Sequence, residues 1–279
     1  MRKILVTGCN GQLGKAINEV YQGMDVELIN TDVADLDITA VDKVVEFVKN
    51  AKPDTIINCA AYTDVNGSES NWDICYKINA IGPRNLSIAA SETGAKLVQV
   101  STDYVFPGTA TKPYVEYDPV DAIGAYGKTK LEGERQVQQF ADRFFIVRTA
   151  WLYGEGKNFV KTMLRLAETN ESVSVVADQF GTPTSALELA KAIKYLVDTD
   201  NYGIFHGTCE GSCSWADFTE EIFRIKGLNT KVNRITTEEF PTPAKRPAYS
   251  VLENYMLKLT TDYMFADWHD AIKEYLVNE

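Results

Sequence analysis

The segment TGCNGQLG, residues 7–14, constrains the fold of this chain more than any other stretch. Its glycines, Gly8, Gly11 and Gly14, are spaced G-x-x-G-x-x-G. They follow an apolar, β-branched run, KILVTG (3–8), and open a stretch with helical spacing over 12–21. Strand, glycine turn and helix in that order make the corner at which a dinucleotide is held. Glycines let the turn close and let backbone approach a pyrophosphate, while the helix offers free N–H groups and the positive end of its dipole. The alternative is a plain glycine turn, and the strand–loop–helix context favours cofactor binding over it. Candidate contacts are Gly8, Asn10, Gly11, Gln12, Leu13 and Gly14.

Further apolar runs at 26–32, 55–61, 96–102 and 143–151 alternate with helical spacing over 40–50, 69–92 and 126–140. Such alternation predicts βαβ units on a parallel sheet, and near-continuous apolar strands predict helices on both faces. Residues 1–153 therefore read as an α/β, doubly wound parallel, Rossmann-type domain. The pattern loosens afterwards. A helix is expected over 159–168, a strand and turn-rich loop over 172–186, a helix over 186–198 and a short strand over 203–208. Helices at 214–226 and 267–277 follow. There are too few strands for a second large sheet, so residues 154–279 are expected to form a smaller, interleaved C-terminal α/β lobe. Segments near 181–206 and 240–252 are expected to return to the first domain.

The second strand ends at Asp32, eighteen residues after Gly14, where an acid holds the adenosine ribose hydroxyls. A carboxylate there repels the extra phosphate of NADPH, so NADH is the expected cofactor. Asp35 and Asp37 give DVADLDI the look of a metal loop. Solvated acids after a strand account for them, and Asp37 and Ile38 are taken as walls of the adenosine pocket.

The net charge of −11 argues against nucleic acid and anionic membrane as partners. It also means that any phosphate ligand must be captured by local groups. No apolar run approaches the roughly 20 residues that span a bilayer. MRKILVTG lacks the features of a signal peptide, which predicts a cytoplasmic protein. Five scattered cysteines and two distant histidines give neither a disulfide framework nor a metal tetrad.

AYGKTK (125–130) carries Tyr126 and Lys130 one helical turn apart, on one helix face. A cation beside a phenol lowers the phenol pKa from about 10, which suits proton transfer near neutral pH. The alternative is a pair of ordinary helix-surface residues.

The three glycines together with Tyr126 and Lys130 resemble the extended short-chain dehydrogenase/reductase family. VSTDYVF (100–106) places Thr102 twenty-four residues before Tyr126, matching the family's catalytic Ser or Thr. NCAAYT (58–63) is similar to the family's loop after the third strand, which adds Cys59, Ala60, Ala61 and Tyr62 beside the cofactor. Asn79 in KINAIG matches a family asparagine. STDYVFPG, YGKTKLEGE, RTAWLYG, NFVKTML, DQFGTPT and KRPAYS, in that order, are similar to the branch that reduces dTDP-4-dehydro-6-deoxy-L-mannose to dTDP-L-rhamnose. Asn66, Gly67, Ser68 and Val251 depart from that branch's pattern.

The resemblance implies that a hydride passes from the nicotinamide of NADH, or NADPH, to the C4 ketone of a sugar nucleotide. Tyr126 would donate the proton, Lys130 would hold the nicotinamide ribose and depress the tyrosine pKa, and Thr102 would bond the ketone oxygen. Asp103, Tyr104 and Trp151 would line the sugar site. Asn158 and Arg246 would lie toward the nucleotide, with Arg246 a forked partner for its diphosphate. Read from their local sequence alone, Trp151 is equally a core residue and Arg246 a surface cation. Mg2+ as a second cofactor and a homodimer are further expectations. Rival readings are a 4,6-dehydratase, a 4-epimerase or a non-catalytic regulatory subunit. The dehydratase needs a second acid where Tyr104 stands, and the regulatory subunit does not need Thr102, Tyr126 and Lys130.

Overall fold

A computed structural model describes residues 1–278. The chain begins β1 (Arg2–Thr7), α1 (Gln12–Val20), β2 (Val26–Thr31), α2 (Val41–Ala51) and β3 (Thr55–Asn58). Two short helices, α3 (Val65–Ser68) and α4 (Trp72–Tyr76), lead through a π-helical turn at Lys77–Ile81 into α5 (Gly82–Thr93). Then come β4 (Lys96–Thr102), a 3-10 turn at Asp103–Val105, α6 (Ala125–Phe140) and β5 (Phe144–Thr149). The remainder runs β6 (Leu152–Tyr153), α7 (Phe159–Ala167), β7 (Ser172–Val176), β8 (Phe180–Gly181), β9 (Thr184–Ser185), α8 (Ala186–Val197) and β10 (Gly203–His206). It ends with β11 (Cys213–Ser214), α9 (Trp215–Lys226), β12 (Lys231–Ile235), α10 (Tyr255–Thr260) and α11 (Trp268–Asn278).

Six strands form one parallel sheet in the order β10-β5-β4-β3-β1-β2. The chain leaves β1 toward β2 and then crosses to β3 on the other side. The crevice beyond the carboxyl ends of β1 and β3 is therefore the switch point where ligands bind in such sheets. Alternate residues of each strand feed two cores, as continuous apolar runs require. Ile4, Val6, Ile57, Val98, Phe145 and Val147 pack against α1 and α8. Leu5, Ile56, Leu97 and Ile146 face the opposite way, against α2, α5 and α6. Truncating a side chain such as Phe145, fully buried here, costs about 3–5 kcal/mol in a core of this kind. A further core lies between α7, β7, α9 and α11, around Val160, Val175, Phe218 and Ile272.

The expected strands at 55–61 and 203–208 end early, at Asn58 and His206, where the chain turns toward the crevice. β12 and α10 are among the elements that escape the sequence pattern. β12 is mostly exposed and so lacks an apolar run. α10 is only six residues long. β12 pairs in parallel with β7, outside the main sheet. Among the described residues no helix is long and apolar enough to cross a membrane.

Candidate active site

A cleft of about 1050 Å3 opens over the carboxyl ends of β1, β3 and β4 and continues to β7 and α9. That is large for a single small ligand and suits two bound end to end. Its first wall is the glycine turn. Gly8 sits at φ +66, where only glycine is unstrained, and a Cβ there would lie 2.7 Å from the Ala60 nitrogen. Gly11, Gln12 and Leu13 complete this wall, with Asp32, Asp37 and Ile38 beyond β2 and Cys59, Ala60 and Ala61 after β3. The buried Oε1 of Gln12 has no partner within the protein. A turn shaped by missing side chains, open N–H groups at a helix start and an unpaired amide oxygen fit a dinucleotide phosphate and ribose. Burial pushes the Cys59 thiol up to about 12, which keeps it protonated near neutral pH.

Five of the expected contacts, Asn10, Gly14, Tyr62, Asn79 and Asn158, stand off the cleft wall. Asn10 is exposed and outside the wall. Gly14 packs the turn against itself, for a Cβ there would lie 2.5 Å from the Gly8 carbonyl oxygen. Tyr62 donates its backbone N–H to Asn79 Oδ1 (2.9 Å), and Asn79 Nδ2 donates to the Tyr62 carbonyl (3.1 Å). Asn79 therefore ties down the loop after β3. Asn158 caps α7 by accepting from the Lys161 N–H (2.9 Å) and donates to the Gly154 carbonyl (2.6 Å). Its amide is used inside the fold.

Thr102, Asp103, Tyr104, Tyr126 and Lys130 meet at the middle of the cleft. α6 presents Tyr126 and Lys130, and its N-terminus is fixed from a distance. Glu69 Oε1 accepts from the Ala125 N–H at 2.8 Å, placing an acid at the positive end of a helix that has none in its own first turn. Thr102 donates its hydroxyl to Asp103 Oδ1 (2.9 Å), accepts from the Tyr104 N–H (3.2 Å) and lies beside the Tyr126 phenol, whose pKa it lowers. The Tyr104 and Tyr126 rings meet edge to face, centroids 5.6 Å apart.

The electrostatics correct one expectation, that Lys130 lowers the tyrosine pKa. Burial dominates and pushes the Tyr126 phenol well above its usual value, opposed by the Thr102 hydrogen bond. Lys130 donates instead to the Val100 carbonyl (2.6 Å), and burial pulls its ammonium down to about 8. Burial also raises the Asp103 carboxyl to about 6. A buried, protonated phenol is the form that a proton donor needs.

The far half of the cleft is aromatic and cationic. Trp151 adopts φ +48, a left-handed conformation that costs a non-glycine residue about 1–2 kcal/mol. Stacking holds it there: its indole lies on Trp215 with centroids 3.5 Å apart. Gly181 makes room, since a Cβ would come within 2.5 Å of the Trp151 ring. Phe159 also packs on Trp215, tilted, with centroids 4.5 Å apart. Arg246 lines the same half, and its buried Nε has no partner. Its loop is anchored by backbone bonds from Phe180 N–H to Ala248 and from Tyr249 N–H to Gly108.

Trp215, Phe159, Glu69 and the orphaned Thr149 hydroxyl on the wall escaped the sequence argument. Phe159 and Thr149 lie in the segments NFVKTML and RTAWLYG, but nothing local marks them as site residues. No group of three or more His, Cys, Asp or Glu residues that could hold a metal occurs among the described residues.

A family model described as RmlD substrate binding domain matches residues 1–279. A dTDP-4-dehydrorhamnose reductase of Aggregatibacter actinomycetemcomitans is 39% identical over 98% of this chain and 98% of that protein. The crystal structure of a dTDP-4-dehydrorhamnose reductase from Clostridium acetobutylicum is 55% identical, covers 99% of each chain and superposes with a TM-score of 0.98. That of a dTDP-4-dehydrorhamnose reductase from Bacillus anthracis in complex with NADP is 41% identical, covers 100% of each chain and has a TM-score of 0.96.

Proposed function

The chain belongs to the RmlD substrate binding domain family, and from that premise we propose that it reduces the C4 ketone of dTDP-4-dehydro-6-deoxy-L-mannose to dTDP-L-rhamnose with a nicotinamide cofactor. The observation that carries this reading is the convergence of Thr102, Tyr126 and Lys130 in one cleft with the glycine turn.

The nicotinamide, when bound, supplies a hydride to the carbonyl carbon of the sugar. Gly8, Gly11 and the start of α1 receive the cofactor phosphates, and Asp32 receives the adenosine ribose. Thr102 orients the carbonyl oxygen by a hydrogen bond. Tyr126 delivers the proton to that oxygen as negative charge develops there, and the Lys130 ammonium would hold the nicotinamide ribose. Hydride and proton together turn ketone into alcohol. Trp151, held on Trp215, offers its face to the sugar ring. Arg246 presents its unpaired N–H groups to the diphosphate, answering the problem set by a net charge of −11. On this reading residues 1–153, with the returning segments near 181–206 and 240–252, hold the cofactor, and the remainder of 154–279 closes over the sugar nucleotide. Asp32 supports NADH as the preferred cofactor; the NADP in the Bacillus anthracis structure belongs to that protein.

The test is direct. Purified protein is mixed with NADH or NADPH and the dTDP-4-keto sugar, and the product is identified by mass spectrometry and NMR. Stoichiometric cofactor oxidation with formation of dTDP-L-rhamnose is expected. A protein that binds cofactor yet leaves the ketone unreduced would overturn the proposal.

A further inference from the structure

Three consecutive residues at the end of β4 each meet one residue of α6. The Val100 carbonyl accepts from Lys130 Nζ at 2.6 Å. Ser101 Oγ donates to Glu134 Oε1 at 2.5 Å. Thr102 lies beside the Tyr126 phenol. Tyr126, Lys130 and Glu134 are four residues apart in turn, so they form one continuous helix face. Two of the three belong to the reaction described above. The third, Glu134, lies outside the cleft wall.

Glu134 is only 1% exposed, and an acid so deep needs partners to stay ionised. Arg148 on β5, 3% exposed, supplies a forked pair. Its Nε donates to Glu134 Oε1 (2.9 Å) and its Nη2 to Oε2 (2.7 Å). The remaining Arg148 nitrogen, Nη1, donates to the Glu116 carbonyl (3.2 Å). Both charges are thereby fixed in place, with little freedom to reorient.

We propose that Glu134 is a positioning residue for the reduction: it locks the Tyr126–Lys130 face of α6 onto β4 and faces the Lys130 ammonium with a fixed negative charge. This rests on the roles given to Tyr126 and Lys130 above. The other titratable groups around Lys130 are the thiols of Cys75 on α4 and Cys59 after β3, and the phenol of Tyr126 on α6. Burial raises all three, so they are neutral near pH 7. Asp103 is bonded to Thr102 and is not among the groups that act on Lys130. Burial is the largest influence on Lys130 and favours loss of its proton, and Glu134 is the largest influence opposing it. Arg148 neutralises the pair as a whole, yet the carboxylate end is the one that acts on Lys130.

The experiment measures kcat against pH at saturating cofactor and dTDP-4-keto sugar. Glu134→Gln keeps the shape and removes the charge. Because that change strands Arg148, the double variant Glu134→Gln/Arg148→Met is made as well and removes both charges. In whichever folds, by circular dichroism, the alkaline fall of kcat is expected to move down by about one pH unit, so that turnover at pH 8 drops several-fold more than at pH 6.5. Glu134→Asp should restore part of the shift. A purely structural Glu134 would lower turnover equally at all pH values, and an unmoved alkaline limb in a folded variant would overturn the proposal. Tyr126→Phe and Lys130→Met are assayed alongside. If they retain turnover, the site assignment itself fails. If they lose it by about 100-fold or more while the Glu134 variants keep the native limb, only the present inference fails.

Discussion

The two ends of the cleft are built by different means. At the glycine-turn end much of the wall comes from residues 7–14 and the adjoining end of β3, with close backbone approach at Gly8. Its shape depends on what is missing, a Cβ at Gly8. At the opposite end the wall is side chain. Trp151, Phe159 and Trp215 pack ring against ring, and Arg246 lines the same end. A wall of backbone presents N–H groups that suit any diphosphate, whereas a wall of stacked rings and one guanidinium has a shape that few ligands match. The first end is thus the general part of the site and the second the selective part.

Substitutions should separate the ends, beginning with the largest effect. Gly8→Ala forces a Cβ into the Ala60 backbone at a positive φ, so cofactor affinity should fall by about 100-fold or more, read by fluorescence titration with NADH. Comparable affinity in that variant would mean that the turn can shift, and the backbone wall is softer than it looks.

Arg246→Ala should act only at the selective end. Losing a charge-assisted contact of about 1.5–3 kcal/mol raises KM for the sugar nucleotide roughly ten- to hundredfold, with KM for NADH unchanged. An unchanged sugar-nucleotide KM would mean that Arg246 does not hold the diphosphate. Trp215→Ala removes the platform under Trp151. KM for the sugar nucleotide should rise about tenfold, because Trp151 sits in a strained conformation that the stacking sustains. If cofactor binding weakened equally, the two ends would be one mechanical unit and the contrast would fail.

The pH response reports on the junction between them. Lys130 has its ammonium pulled down to about 8 by burial, from a reference near 10.4. Turnover should therefore decline above about pH 8 as the proton is lost. Stability runs the other way. Between about 8 and 10.4 the unfolded chain keeps a proton that the folded chain has released, so the Lys130 contribution to stability rises with pH across that window. Thermal melts of the wild type against Lys130→Met at pH 7.5 and 9.5 would show that opposite sign or deny it. The smallest effect is at Asp32, half exposed on the adenosine wall. Asp32→Ala should shift the NADH-to-NADPH preference several-fold toward NADPH, measured as the ratio of kcat/KM values. A wild type that already favours NADPH would refute the role given to Asp32.

The parts legible in the sequence share one property, that their partners are near in the chain. The glycine turn needs only the strand before it and the helix after it. Tyr126 and Lys130 need only one helical turn to share a face. The buried strands announce themselves by runs such as KILVTG and KLVQVST, because a strand covered on both faces has no polar side. Arg148, in the apolar run RFFIVRT, carried a readable signal of a buried ion pair, and Glu134 four residues beyond Lys130 carried another. What those residues face is set by the packing of β4, β5 and α6. The Trp151–Trp215 stack and the cap of α6 by Glu69 join residues far apart in sequence, for which local periodicity gives no warning. The tyrosine shows the same division at one residue. Spacing alone determined that Lys130 would lie on its face and suggested a depressed phenol. Only the tertiary structure decided that the phenol is raised, because desolvation depends on everything packed around the hydroxyl and here outweighs any cation one turn away.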